Sequence, residues 1–346
     1  MFRVSILFVA LFVGIQGNAI GLAEDYANDK EYMMFPDGEG KLHLIHLKED
    51  KYQPQIKFNV NKHMNFLLYT RENPDEPQVL KFKSLASIRE SNFAQIHETF
   101  FVTHGWKSGP KSSVNVLIKN ALLKAGDYNV IVVDWEYGAS YNYFAARGHA
   151  ATAGKHLGNF LNFLVKEINL RLKTVHLIGH SLGAHVMGFA GKTVRKENKG
   201  QKVGQIVGLD PALPLYTFGN PGGRLELNDA QYVEIIHTNG GKLGFLDAIG
   251  HADYYPNWGS TQPGCGLDMF GSCAHARAYE YYAESIIRSA HFQSKKCRDL
   301  HQLKNDFCTD KAGNYLMGGR VNQKERYYGV FILQTAEKSP FGLGYR

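Results

Sequence analysis

Residues Thr174-Val175-His176-Leu177-Ile178-Gly179-His180-Ser181-Leu182-Gly183-Ala184-His185 decide how this chain is read. An apolar run from Thr174 to Ile178 leads into Gly179-His180-Ser181-Leu182-Gly183, and a helix-forming stretch follows. Strand, G-x-S-x-G, helix is the order a serine nucleophile needs on a sharp strand-to-helix turn. The glycines leave the serine with neighbours that have no side chains on either side, so the Ser181 hydroxyl stands clear at the top of a sheet.

The same alternation continues on both sides. Apolar runs at Asn65 to Thr70, Thr99 to Thr103 and Asn129 to Val133 come before the motif, and Gln205 to Leu209 and Tyr232 to His237 come after it. Most lack polar alternation, as strands buried on both faces do. Apolar residues recur at helical spacing around Ser113 to Ala125, from about His149 to Leu172, and from Leu182 to about Thr193. This pattern predicts an α/β fold, a mostly parallel sheet with helices on both faces and an active site at the carboxyl ends of the strands. A last strand is expected near Tyr328 to Leu333. Residues 20–64 are weakly patterned and suggest no role, so the catalytic domain is placed at 65–346.

Serine at its ordinary pKa is a poor nucleophile and needs a histidine base oriented by a carboxylate, which in this fold class follow in the order Ser, Asp or Glu, His. Asp210, in Gly208-Leu209-Asp210-Pro211, ends a strand and is the expected acid. Asp229 is the next candidate, but it sits in a polar loop that suits a structural role. Among fifteen histidines, His180 and His185 flank the nucleophile, His237 ends a strand and His251 follows Gly250; packing and hydrogen bonding suit these better than catalysis. His275 is the better base on chain order, expected in a loop just before a helix starting near Arg277. The oxyanion donors are expected to be the backbone N–H groups of Leu182, next to the nucleophile, and Trp106, after the strand ending at Thr103.

The 346 residues are 44% hydrophobic and 21% charged, the composition of a globular protein with a large core. The segment Met1-Phe2-Arg3, the apolar stretch Val4 to Ile15, and Gly17-Asn18-Ala19 have the order of a secretory signal peptide, so residues 1–19 are expected to be removed and the protein secreted. Four cysteines suit an exported chain. Cys265 is expected to pair with Cys273, and Cys297 with Cys308, each closing a short loop; no zinc-ligand spacing is present. The net charge of +7 and the cluster Lys192, Arg195, Lys196, Lys199 and Lys202 allow affinity for anionic surfaces, although a solvated surface loop is the simpler reading. No motif supports nucleic-acid binding.

Val102-Thr103-His104-Gly105-Trp106, Val132-Val133-Asp134-Trp135, Gly179 to Gly188, Gly208 to Ala212, Ile236-His237-Thr238, Pro263-Gly264-Cys265, and Cys273-Ala274-His275 with Arg277 and Tyr279 together resemble the animal pancreatic-type lipases, including insect members and a phospholipase A1 branch. The resemblance runs from about residue 65 to 343. It implies the α/β-hydrolase fold, Ser181 as nucleophile, Asp210 as acid, His275 as base, Trp106 and Leu182 as oxyanion donors, and a lid held by Cys265 and Cys273. It also implies a lipid substrate at a membrane or droplet interface and no organic cofactor. The family's calcium region matches Arg224 to Ala230, with Glu226 and Asp229 at carboxylate positions, where an ion and a purely structural loop are equally compatible; no metal ligand is assigned.

Three departures refine the expectation. The sequence ends at Arg346, soon after the last expected strand, so neither a C-terminal β-sandwich nor colipase docking is expected. The lid holds only Gly266 to Ser272, with Leu267, Met269 and Phe270 as candidates to dip into lipid or to pack. The surface loop from Asn239 to about Gly250 looks short. A short lid gives little apolar wall for acyl chains, which favours phospholipase A1-type hydrolysis over that of neutral glycerides. A non-catalytic lipid-binding or yolk-type storage role is the alternative of another class, although such relatives usually lose the triad that this chain keeps.

Overall fold

The computed structural model describes residues 31–48, 58–305, 308, 315–319 and 326–344. The signal-peptide reading of residues 1–19 lies outside them. Eleven strands of the described residues form one sheet in the order β12-β11-β13-β10-β9-β8-β7-β5-β6-β3-β4. Its centre is parallel: β5 (Thr99–Thr103), β6 (Asn129–Asp134), β7 (Val175–His180), β8 (Val203–Leu209), β9 (Ala230–Ile236), β10 (Ala252–Pro256) and β13 (Gly329–Leu333). The flanks are antiparallel, with β3 (Asn65–Tyr69) and β4 (Gln78–Leu80) at one end, and β11 (Gln293–Cys297) and β12 (Tyr315–Leu316) at the other. Every residue of β5, β7 and β8 is buried, as continuous apolar runs between two helix layers require.

Four long helices cover the sheet: α1 (Ser113–Ala125), α2 (Tyr143–Ile168), α3 (Leu182–Glu197) and α4 (Ser272–Arg288). The α2 helix starts six residues before the expected His149, because the Asn142 side chain accepts from the Ala145 amide and caps it there. It stops at Ile168, ahead of Leu172, where Asn169 turns left-handed with φ of 52°. Together with β5 to β10 and β13, this is the α/β-hydrolase architecture.

Residues 31–48 are not patternless. They form a hairpin of β1 (Tyr32–Pro36) and β2 (Leu42–His46), turning through Pro36-Asp37-Gly38. The turn is built on Asp37, whose Oδ1 accepts from the amides of Glu39 and Lys41 and whose Oδ2 meets His43 Nε2 at 2.8 Å. The Gly38 amide donates to Lys107 O, and Ser272 Oγ donates to Gly40 O, so the hairpin tip bridges the loop after β5 and the start of α4. Both expected disulfides form, Cys265–Cys273 and Cys297–Cys308. Among the described residues no helix is long and apolar enough to cross a membrane.

Candidate active site

Ser181 sits between β7 and α3 with φ of 57° and ψ of −124°, a backbone state costing about 1–3 kcal/mol that survives only where its surroundings impose it. The imposing residues are the two glycines. A Cβ on Gly179 would lie 2.2 Å from Gly183 O, and one on Gly183 would lie 2.5 Å from His104 O. The turn therefore closes on itself and on the loop after β5 at once. That loop approaches so tightly that a Cβ on Gly105 would stand 2.9 Å from Ser181 Cβ. The next residue, Trp106, is buried, lines the same cavity as Ser181, and donates its indole N–H to Tyr141 O. Leu182 opens α3, where the first helical amides have no partner in their own helix.

Asp210 leaves the end of β8 with φ of 42° and is fully buried. Its Oδ2 accepts from His275 Nδ1 at 2.6 Å, and its Oδ1 accepts from the amides of Thr238 and Asn239 at 2.9 and 3.0 Å. With Nδ1 donating, Nε2 of the neutral ring is the acceptor. That atom and Ser181 Oγ are both buried without a hydrogen-bond partner among the described residues. Both residues line one cavity of about 370 Å³, which also meets Phe35, Trp106, Tyr279 and the hairpin tip.

His275 does not precede its helix, as the sequence suggested. It lies in the first turn of α4, which begins at Ser272, because Asp268 in the lid loop caps the helix by accepting from the Cys273 and Ala274 amides at 3.3 and 2.8 Å. The stretch from Asn239 to Gly250 is a surface loop only in part, with Gly241, Lys242 and Asp247 exposed. Leu243, Gly244 and Phe245 are buried, and a Cβ on Gly244 would lie 2.4 Å from Asp210 Oδ1, so this turn wraps the carboxylate. In the lid, Leu267 is 91% and Met269 58% exposed, Phe270 is half-buried, and none of the three lines the cavity.

The other candidates fall into structural places. His180 donates from Nε2 to His275 O, and burial holds its pKa well below the usual value. His185 donates from Nε2 to Ala212 O and accepts from the Leu225 amide at Nδ1, a neutral ring whose pKa burial lowers to about 3. His237 lies between Phe245 O and Asp253 Oδ1, and His251 accepts from the Val233 amide. Asp229 is buried with Lys192 Nζ at 2.6 and 2.7 Å from its two oxygens, and its Oδ2 also accepts from the Glu226 amide. Burial still raises its pKa to about 6. An ammonium spanning both oxygens supplies the countercharge, so these residues do not fit a calcium ion. Arg195, the second cation of the basic cluster, donates to Asn228 O.

The family described as Lipase matches residues 43–341. The chain belongs to the lipase family. Pancreatic triacylglycerol lipase of Mus musculus is 32% identical over 305 residues, covering 80% of this chain and 64% of that one. The human protein named inactive pancreatic lipase-related protein 1 is likewise 32% identical, over 80% of this chain and 64% of its own length. This lipase-family chain thus spans less than two thirds of either relative. The acetyl xylan esterase of Aspergillus awamori superposes over 54% of this chain and 71% of its own with a TM-score of 0.30 at 12% identity, a likeness too slight to add to the topology.

The sequence reading missed the hairpin, whose residues Phe35 to Gly40 line the cavity. The signal was present: an apolar run, Tyr32 to Phe35, stopped by Pro-Asp-Gly and followed by a second short apolar stretch.

Proposed function

We propose that the chain is a secreted lipid acyl-ester hydrolase with Ser181, His275 and Asp210 as its triad. His275 Nε2 takes the Ser181 proton as Oγ attacks the ester carbonyl; the amides of Trp106 and Leu182 hold the oxyanion; His275 then protonates the leaving alcohol, and water releases the fatty acid. The observation that carries this reading is the 2.6 Å contact between His275 Nδ1 and Asp210 beside a buried, unpartnered Ser181 Oγ. Because one relative is named inactive, family membership alone does not decide catalysis, whereas the His275–Asp210 pair and a strained Ser181 lining the same cavity favour it.

Phospholipid is the favoured substrate. The loop between Cys265 and Cys273 spans a sequence separation of 8, its apolar tips Leu267 and Met269 point into solvent, and little lid wall is left for several acyl chains. The name of the mouse relative favours triacylglycerol as the second reading. Fatty-acid release from phosphatidylcholine and from trioleoylglycerol, measured side by side on purified protein, separates the two. Ser181→Ala should lose both activities, and an organophosphate should label Ser181 in the wild type. Unlabelled Ser181 in folded protein would mean a lipid-binding role instead.

A further inference from the structure

We propose that Phe35 sets the length of acyl chain the site accepts, by standing as a partition between the cavity at Ser181 and a second cavity behind the hairpin. This rests on reading the site as an acyl-ester hydrolase. The Phe35 ring is 1% exposed and faces His275 edge-on at a centroid distance of 6.0 Å. On its other sides it meets Tyr143 at 4.9 Å and Trp106 at 5.6 Å. Those two rings line a second, partly open cavity of about 380 Å³, walled also by Leu44, Ile45 and Phe144 beside Lys48 and Lys107, while the cavity at Ser181 measures about 370 Å³. Trp106 borders both, and Phe35 is the side chain that touches the base on one side and the walls of the second cavity on the other.

The cavity at Ser181 lies near the lower end of the roughly 300–1,000 Å³ usual for ligand sites, so by itself it suits a short or medium acyl chain. A longer chain needs the space beyond Phe35. The ring cannot swing aside cheaply, since it packs against three aromatic rings and sits on β1, where Phe35 itself pairs with His43 of β2. Phe35 itself lies ahead of the residues matched to the lipase family, which begin within β2 at residue 43.

The test uses purified full-length protein and p-nitrophenyl esters from butyrate to stearate. The wild type should peak at short or medium chains. Phe35→Ala should raise palmitate and stearate turnover relative to butyrate by about ten-fold, whatever it does to the overall rate, with Phe35→Leu between. Adding Leu44→Trp, which fills the second cavity from its open side, should return the Phe35→Ala profile toward wild type. A mere loss of stability at Phe35 would lower all esters together and would not be reversed by Leu44→Trp. A binding series removes the dependence on turnover: in the Ser181→Ala background, displacement of a fluorescent fatty acid by octanoate to stearate should favour longer acids once Phe35 is truncated. If the wild type hydrolyses no ester but this binding preference still moves, hydrolysis fails and the partition stands. A cooperatively melting Phe35→Ala or Phe35→Leu protein with the wild-type chain-length preference in both series overturns the partition.

Discussion

Asp210 does its work through three donors. Two backbone amides hold Oδ1 and leave Oδ2 for His275 Nδ1, which fixes the imidazole tautomer with Nε2 unprotonated that the proposed mechanism requires. Asparagine at this position would keep its carbonyl oxygen on the amides of Thr238 and Asn239 and turn an NH2 toward His275. The ring would then carry its proton on Nε2, the wrong nitrogen for a base. Asp210→Asn should therefore lower kcat about 10³- to 10⁴-fold on a soluble ester with little change in melting temperature. Turnover within about ten-fold of wild type in the folded variant would remove Asp210 from the triad. Asp210 was readable from sequence as the proposed acid because a strand end and a proline mark it. The clamp was not, because it depends on Gly244 packing against a carboxylate distant in sequence.

At the scale of elements, the first turn of α4 carries the proposed base, His275, and the lid loop caps that turn. Gly271 at the N-cap has no side chain to offer, so Asp268 supplies the acceptors for Cys273 and Ala274. Asp268→Ala should cost about 1 kcal/mol of stability, and fraying of the turn should lower kcat more than it raises KM for a small ester. A KM effect alone in steady-state kinetics would show that Asp268 acts only at the cavity mouth, which it also lines. Lys192→Met gives the opposite signature. It leaves Asp229 buried without its cation, so urea unfolding should show a loss of about 3–5 kcal/mol, while the folded fraction keeps its kcat. An unchanged unfolding midpoint would show that Asp229 needs no countercharge. The two substitutions mark what local sequence conveys. Strands β5 to β9 were legible because buried parallel strands are continuous apolar runs. The start of α4 was not, because its cap comes from a carboxylate four residues before the helix, across a loop whose shape the disulfide helps to set.

On the scale of the whole molecule, burying the strands on both faces also buries histidines, and this makes the fold sensitive to acid. Burial lowers His104 and His176 to about 4 and His185 to about 3, while an unfolded chain titrates them near 6.5. Between those values the unfolded state binds protons that the folded state refuses, so stability falls as pH drops below about 6.5, by about 1.4 kcal/mol per pH unit for each such ring. Asp229 runs the other way. Its carboxyl is raised to about 6, so between pH 6 and its unfolded value near 3.8 the folded state binds the extra proton and gains stability as pH falls. Three histidines outweigh one carboxyl, and the net slope is toward loss. The formal charge of +7 adds general repulsion in acid, so the wild-type curve alone does not isolate the histidines. His185→Gln does, because the amide can still donate to Ala212 O and accept from the Leu225 amide without titrating. Urea unfolding from pH 7 to pH 4 should show the wild type losing stability more steeply than His185→Gln, with the two curves separating by about 1.4 kcal/mol per pH unit below 6.5. Parallel curves would mean that the His185 ring takes up its proton in the folded protein, and that the packing around α3 and the turn after Asp210 yields to charge.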